Sequence, residues 1–208
     1  MKKMGLITMG VAALLLACAT VSTYPIHLRY VPEKEPPQVS TELRGKVITV
    51  TTFGDNRGVA DLRTIGTRVD SEGKETPFVS SREAPSANVT KAFKTYLFKK
   101  GYTVRGETPG WGLDSQTISP EWGGWVIGGS LEELSVEVKS YVRTFYECKL
   151  KLRVVVADVK EKKVRYNQTI ELSSSYKTVT FRLKTAERMI NKLLAEAIER
   201  TLVDLEKG

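Results

Sequence analysis

The chain has little of what most metal-dependent, disulfide-stapled or nucleophile-driven proteins need. Its 208 residues hold one His and two Cys, which leaves no His/Cys spacing for a metal centre and no disulfide framework. A Gly-x-Ser-x-Gly elbow is absent, which argues against an α/β-hydrolase nucleophile. Glycine-rich stretches occur, but they lead into a strand and lack a following helix N-terminus or Lys, so a phosphate-cradling loop is disfavoured. No apolar run reaches the roughly 20 residues of a spanning helix. The longest, Met4 to Ala17, follows Lys2 and Lys3 and has the make-up of an export signal.

That run ends in Leu15-Leu16-Ala17-Cys18. A Leu three residues before a Cys, with a small residue between, resembles the lipobox of bacterial lipoproteins. The resemblance implies cleavage after Ala17 and a diacylglyceryl thioether plus an N-acyl chain, such as palmitate, on Cys18. Two or more acyl chains hold a protein on a bilayer stably, where one does not. In the Gram-negative sorting pattern an Asp after the Cys retains the protein in the inner membrane. Here the position is Ala19, so an outer-membrane anchor with a periplasmic domain is expected.

Removing residues 1–17 takes away two Lys and no acid, so the formal charge falls from +8 to +6. The mature chain stays basic. For an exported protein the expected counterparts are anionic lipid, acidic polysaccharide or an envelope protein, and no nucleic acid. The organisation reads as a signal peptide at 1–17, a lipidated tether and linker at 18–42, and one domain at 43–208. Pro25, Pro32, Pro36 and Pro37 favour extended backbone in the linker. Ile26, Leu28 and Tyr30 alternate with His27 and Arg29, a pattern that also fits a short edge strand docked on the domain. His27, the lone His, falls in this segment, where a catalytic or metal role is not expected.

In the domain, Lys46 to Phe53 is rich in Val, Ile and Thr and predicts a first strand ending at Gly54-Asp55-Asn56-Arg57-Gly58. Ile65–Val69 and Thr76–Ser80 flank a turn-like Ser71-Glu72-Gly73-Lys74 and predict a hairpin. Pro85 to Lys100 carries Val89, Ala92, Phe93, Tyr96 and Leu97 at three- and four-residue steps, with Pro at its start and Gly101 past its end, which predicts a helix. A short strand, Tyr102 to Arg105, follows. Residues 106–124 are punctuated by Gly and Pro and hold Trp111 and Trp122. Those indoles either cap one end of the core or contact a partner.

Residues 125–176 predict a three-stranded meander. Trp125, Ile127, Gly129 and Leu131 share one parity while Leu134, Val136 and Val138 share the other, which calls for a β-bulge near Glu132-Glu133. Tyr146, Cys148, Leu150, Leu152, Val154 and Val156 alternate with charged residues, as a half-buried antiparallel strand does. Cys148 is then a small buried hydrophobe. It is also a poor disulfide partner for Cys18, a leader end against a strand interior. A final helix, Ala186 to Leu205 with Thr185 as its cap, carries an apolar stripe from Met189 to Leu202. The expected fold is α+β, an antiparallel sheet of about five strands with two helices packed on one face.

The lipobox at Cys18, a strand ending in Asp55-Asn56-Arg57, Ile65-Gly66 soon after, a helix closing on Lys100-Gly101-Tyr102, the long meander and the terminal amphipathic helix together resemble the YajG-type family of envelope lipoproteins. The segment at 106–124 departs from that pattern. The resemblance implies an outer-membrane-associated lipoprotein and supplies no catalytic residues. Two classes of function follow: a non-catalytic adaptor or accessory subunit, without cofactor or metal, or a hydrolase acting on an envelope polymer. The first would use Trp111, Trp122, Asp55 and Arg57 as candidate partner contacts. The second would draw an acid/base pair from Glu132, Glu133 or Asp55, and adjacent strand residues share a face only if the bulge realigns them.

Overall fold

A computed structural model of the protein describes residues 22–39 and 44–207, with the side chains of the last helix through Leu202. The elements in chain order are β1 (Tyr24–Ile26), β2 (Val47–Val50), β3 (Gly54–Asp55), β4 (Thr64–Val69), β5 (Glu75–Ser80), α1 (Pro85–Lys100), β6 (Thr103–Val104), β7 (Trp125–Ser140), β8 (Thr144–Asp158), β9 (Lys163–Thr178) and α2 (Leu183–Lys207). Cys18 and the signal segment lie outside the described residues.

The meander is the frame. β7 pairs antiparallel with β8 from Trp125↔Asp158 to Ser140↔Thr144, and β8 pairs antiparallel with β9 along its length. The expected bulge is present between Leu131 and Glu133. It lets Leu131 and Leu134 both enter the core although their spacing in a regular strand would put them on opposite faces.

The other edge of β7 corrects the expected sheet. Three short strands lie along it in series, all parallel to it: β2 beside 125–127, β3 beside 130–131 and β4 beside 136–139. Among the described residues the sheet is nine-stranded and mixed, not antiparallel with about five strands. The reason is connectivity. β2 reaches its neighbour β6 through α1, and a helical crossover returns the chain in the same direction. On this edge β4 and β5 form the local antiparallel hairpin that the turn residues predict.

Gly66 makes the fit along β7. Its φ is +142°, and a Cβ built there would lie 2.1 Å from the Val136 carbonyl oxygen. Only glycine permits that approach.

Both helices pack into one core with the inner sheet face, where Cys148, Leu150, Leu152, Val154 and Val156 are buried. α1 begins with Pro at its first turn and ends on Gly101 in the left-handed region, whose N–H reaches the last carbonyls. Phe53 stacks on Phe93 at 4.9 Å, and the Thr90 hydroxyl accepts from the Phe53 N–H, which fixes α1 to the end of β2. α2 starts at Leu183, ahead of the expected Thr185 cap. The Thr185 N–H bonds back to the Arg182 carbonyl, so Thr185 is already inside the first turn.

The segment read as a linker is docked from Tyr24 to Val39. β1 pairs parallel with β5, and Ile26, Leu28, Tyr30 and Val39 are buried. Asn191 of α2 stands in for a neighbouring strand: its amide oxygen accepts from the Arg29 N–H at 2.9 Å and its amide nitrogen donates to the His27 carbonyl at 2.9 Å. The Tyr30 hydroxyl donates to Glu199 at 2.8 Å, and burial, with that carboxylate beside it, pushes its pKa up. His27 is held too, its Nδ1 2.8 Å from the Ser81 hydroxyl.

Candidate functional site

Asp55 and Arg57 are brought together and turned inward. Arg57 Nε and Nη2 each donate to one Asp55 oxygen at 2.8 Å, and the two side chains are 2% and 7% exposed. The remaining guanidinium N–H groups donate to the carbonyls of Leu62 and Thr64. This pair holds the loop between β3 and β4 and offers little surface to a partner.

Trp111 and Trp122 meet edge to face at 6.3 Å. They cover a small second cluster of Ile118, Val126, Ala157 and Val159 on the sheet face away from the helices. A Cβ on Gly128 would lie 2.8 Å from the Trp111 ring, so that glycine is the floor of the indole site. Trp111 Nε1 donates to the Asp114 carbonyl at 2.9 Å, closing its own loop. Of the two readings of these indoles, the packing agrees with a cap, placed on the outer face and not on the main core.

The bulge puts Glu132 and Glu133 on the same outer face. Ser130, which precedes them and pairs with Arg153, donates its hydroxyl to Glu132 at 2.5 Å, while Glu133 pairs with Lys151. Cys148 is fully buried and its thiol is pushed up to about 12 by burial, with Glu147 adding to the shift. That removes it as a nucleophile. Among the described residues no group of three or more His, Cys, Asp or Glu is placed to hold a metal, and no helix is long and apolar enough to cross a membrane.

One exposed apolar surface was not among the residues singled out from sequence. At the β7–β8 turn and the adjoining end of β9, Tyr141 is 59%, Val142 92%, Phe145 46%, Tyr176 49% and Val179 74% exposed. Lys139, Arg143 and Lys177 stand among them, with Lys177 Nζ 4.5 Å above the Phe145 ring. Beside Tyr176 a hollow of about 360 Å³ is lined by Thr178, Arg182, Lys184, Thr185 and Arg188, three cations and no acid. The only signal in the sequence is the break of the alternating pattern at Ser140-Tyr141-Val142-Arg143, apolar residues where a turn is normally polar.

This end of the sheet is tied to the start of the docked segment. Arg68 of β4 donates from Nη1 to the Tyr24 hydroxyl at 3.1 Å and from Nε to the Ser140 hydroxyl at 3.3 Å, and its guanidinium lies 4.5 Å from the Phe181 ring centre. A run of aromatic contacts, Tyr24 to Phe181 to Tyr146 to Tyr176, continues to β9.

No family model and no curated protein matches the chain in sequence. Among solved structures, protein XCC0632 from Xanthomonas campestris is similar with a TM-score of 0.53 at 8% identity, over 87% of this chain and 92% of that one. The two share a fold. Lower scores are found for the hypothetical protein CT253 from Chlamydia trachomatis, 0.44 at 13% identity over 79% of this chain and 96% of that one. Lipoprotein GNA1162 from Neisseria meningitidis scores 0.37 at 12% identity, over 78% of this chain and 99% of that one.

Proposed function

We propose that this chain is a non-catalytic accessory lipoprotein of the bacterial cell envelope, of the YajG type, cut after Ala17, acylated on Cys18 and held at the outer membrane with its domain in the periplasm. The observation that carries the reading is the Leu15-Leu16-Ala17-Cys18 motif closing the apolar run, and the docking of residues 24–39 sets how far the domain can stand from it. The lipobox cysteine is six positions before Tyr24, and six residues span at most about 20 Å. A lipid on Cys18 therefore keeps the folded domain close to the bilayer, where the longer free linker expected from the prolines would have let it range. The fold shared with XCC0632 is compatible with this role and adds no activity.

The test is the anchor. Cys18→Ala is expected to abolish incorporation of labelled palmitate and to remove the protein from the outer-membrane fraction. Palmitate incorporated into the Ala variant would overturn the reading. A hydrolase acting on an envelope polymer is the second reading, because the bulge brings Glu132 and Glu133 to one face. Polymer degradation by the purified protein that is lost in Glu132→Gln/Glu133→Gln would favour it.

A further inference from the structure

The register of the sheet gives the direction of β1 relative to the meander. Tyr24 is level with Phe78, Phe78 with Gly66, and Gly66 with Val136. β1 is parallel to β5, and β5 runs away from the β4–β5 turn. Going backward from Tyr24 therefore leads toward that turn and toward the β7–β8 turn, which lies beyond Ser140. Val142 is six positions past the level of Tyr24, about 20 Å at the rise of a strand. That equals the greatest reach of the six positions between Tyr24 and Cys18.

The residues at this end suit a lipid surface. Aromatic residues and valines stand exposed at its outermost point, and cations surround them. Tyr is favoured where an apolar bilayer meets headgroups, and an exposed apolar patch of this kind marks a contact site. The acids of the neighbouring strands, Glu137 and Glu147, face each other behind Lys139 and Phe145. Asp70 and Glu72 lie in the adjacent β4–β5 turn together with Lys74. The Arg182, Lys184 and Arg188 hollow beside Tyr176 has no acid in its lining and fits a phosphate-bearing headgroup.

We propose that the β7–β8 turn and the adjoining end of β9 dock on the anionic leaflet that holds the Cys18 lipid, with Tyr141, Val142 and Val179 at the boundary of headgroups and acyl chains and Arg143, Lys177 and the Arg182/Lys184/Arg188 hollow on lipid phosphates. This inference rests on the lipoprotein reading. It makes the protein a doubly attached one, by its acyl chains and by the end of its sheet. The far end of β7, with Trp111, Trp122 and Trp125, is then held away from the bilayer, since β7 is 16 residues long and extends roughly 50 Å.

The tryptophans make the test direct. The full-length protein is purified in detergent and reconstituted in vesicles of phosphatidylethanolamine and phosphatidylglycerol with brominated acyl chains, which quench only tryptophans that reach them. The parent emission is expected to be unquenched. In Val142→Trp, a change at an almost fully exposed position, the added emission is expected to be quenched and blue-shifted. Adding Arg143→Glu/Lys177→Glu is expected to lower the docked-to-undocked ratio at least about tenfold, since each basic residue near an anionic surface contributes about fivefold to that ratio. Acylation of Cys18 is read on the same samples by intact mass.

An acylated, vesicle-bound Val142→Trp protein that shows no quenching overturns the docking surface and leaves the lipoprotein reading standing. Quenching that survives the double charge reversal overturns the headgroup contacts. An unacylated protein that still floats with the vesicles and is quenched overturns the anchor and supports the surface. An unacylated protein that does not float overturns both. If the surface serves a protein partner instead, the Val142→Trp emission in vesicles is unquenched.

Discussion

Arg57 closes on both oxygens of Asp55 two residues away, and the pair is buried while its spare N–H groups hold the backbone of Leu62 and Thr64. The two residues that mark the end of the first strand region in the sequence thus shape the β3–β4 loop from within. Removing one partner of a buried pair leaves an uncompensated charge, which costs about 3–5 kcal/mol. Asp55→Ala is expected to lower the unfolding free energy by that amount in urea titrations. An unchanged midpoint would show that the loop is held by other contacts.

Trp111 and Trp122 are expected to act through stability. Their double replacement by Ala empties the cluster over Val126 and Ala157 and should cost about 3 kcal/mol. Crosslinking to envelope components in cells should persist for whatever fraction folds. Full stability with lost crosslinks would return the indoles to the list of partner contacts.

The register of β8 is tested by two adjacent residues. Leu152 is fully buried opposite Leu131 and Ile170, so Leu152→Glu buries an unpaired carboxylate and is expected to cost more than about 4 kcal/mol. Lys151 faces out and pairs with Glu171 at 3.7 Å. Its replacement by Glu should stay within about 1 kcal/mol. Equal melts for the two variants would contradict the register.

Glu137 carries a pH signature. Partial burial raises its pKa, with Glu147 and Glu75 adding to the shift and Lys139 opposing it. A carboxyl whose folded pKa lies above its unfolded one favours the native state while protonated, and that stability is lost as pH rises through the folded value. Glu137→Gln should therefore match the parent at acid pH, below the ordinary carboxylate range, and exceed it at neutral pH. The gain is expected to be under about 1 kcal/mol, because Glu137 is exposed to solvent. Thermal melts at both pH values check the sign, and a parent more stable than the variant at neutral pH would contradict it.

The local elements were legible because each is written in nearby residues. Pro85 and Gly101 bracket α1, the strict alternation from Tyr146 to Val156 defines β8, and the change of parity between Leu131 and Leu134 announces the bulge. The candidate contacts were less legible, since burial decides them: nothing in Asp55-Asn56-Arg57 tells a buried bidentate pair from an exposed one, and nothing in a Gly-rich loop says which sheet face its indoles will cover.

The sequence by itself determined the helices, the hairpin and the meander with its bulge, all carried by periodicity or short motifs, and its Leu15-Leu16-Ala17-Cys18 run resembles a lipobox, which motivates the proposed membrane anchor. Only the tertiary structure decided that β2, β3 and β4 line one edge of β7 in parallel, because strands of two to six residues carry too little period to name a partner far along the chain. It likewise decided that residues 24–39 are docked, through an Asn191 amide that replaces a missing strand. The exposed end at Tyr141, Val142 and Tyr176 belongs to the same class: it becomes a surface only when turns and strand ends distant in sequence are folded to one side.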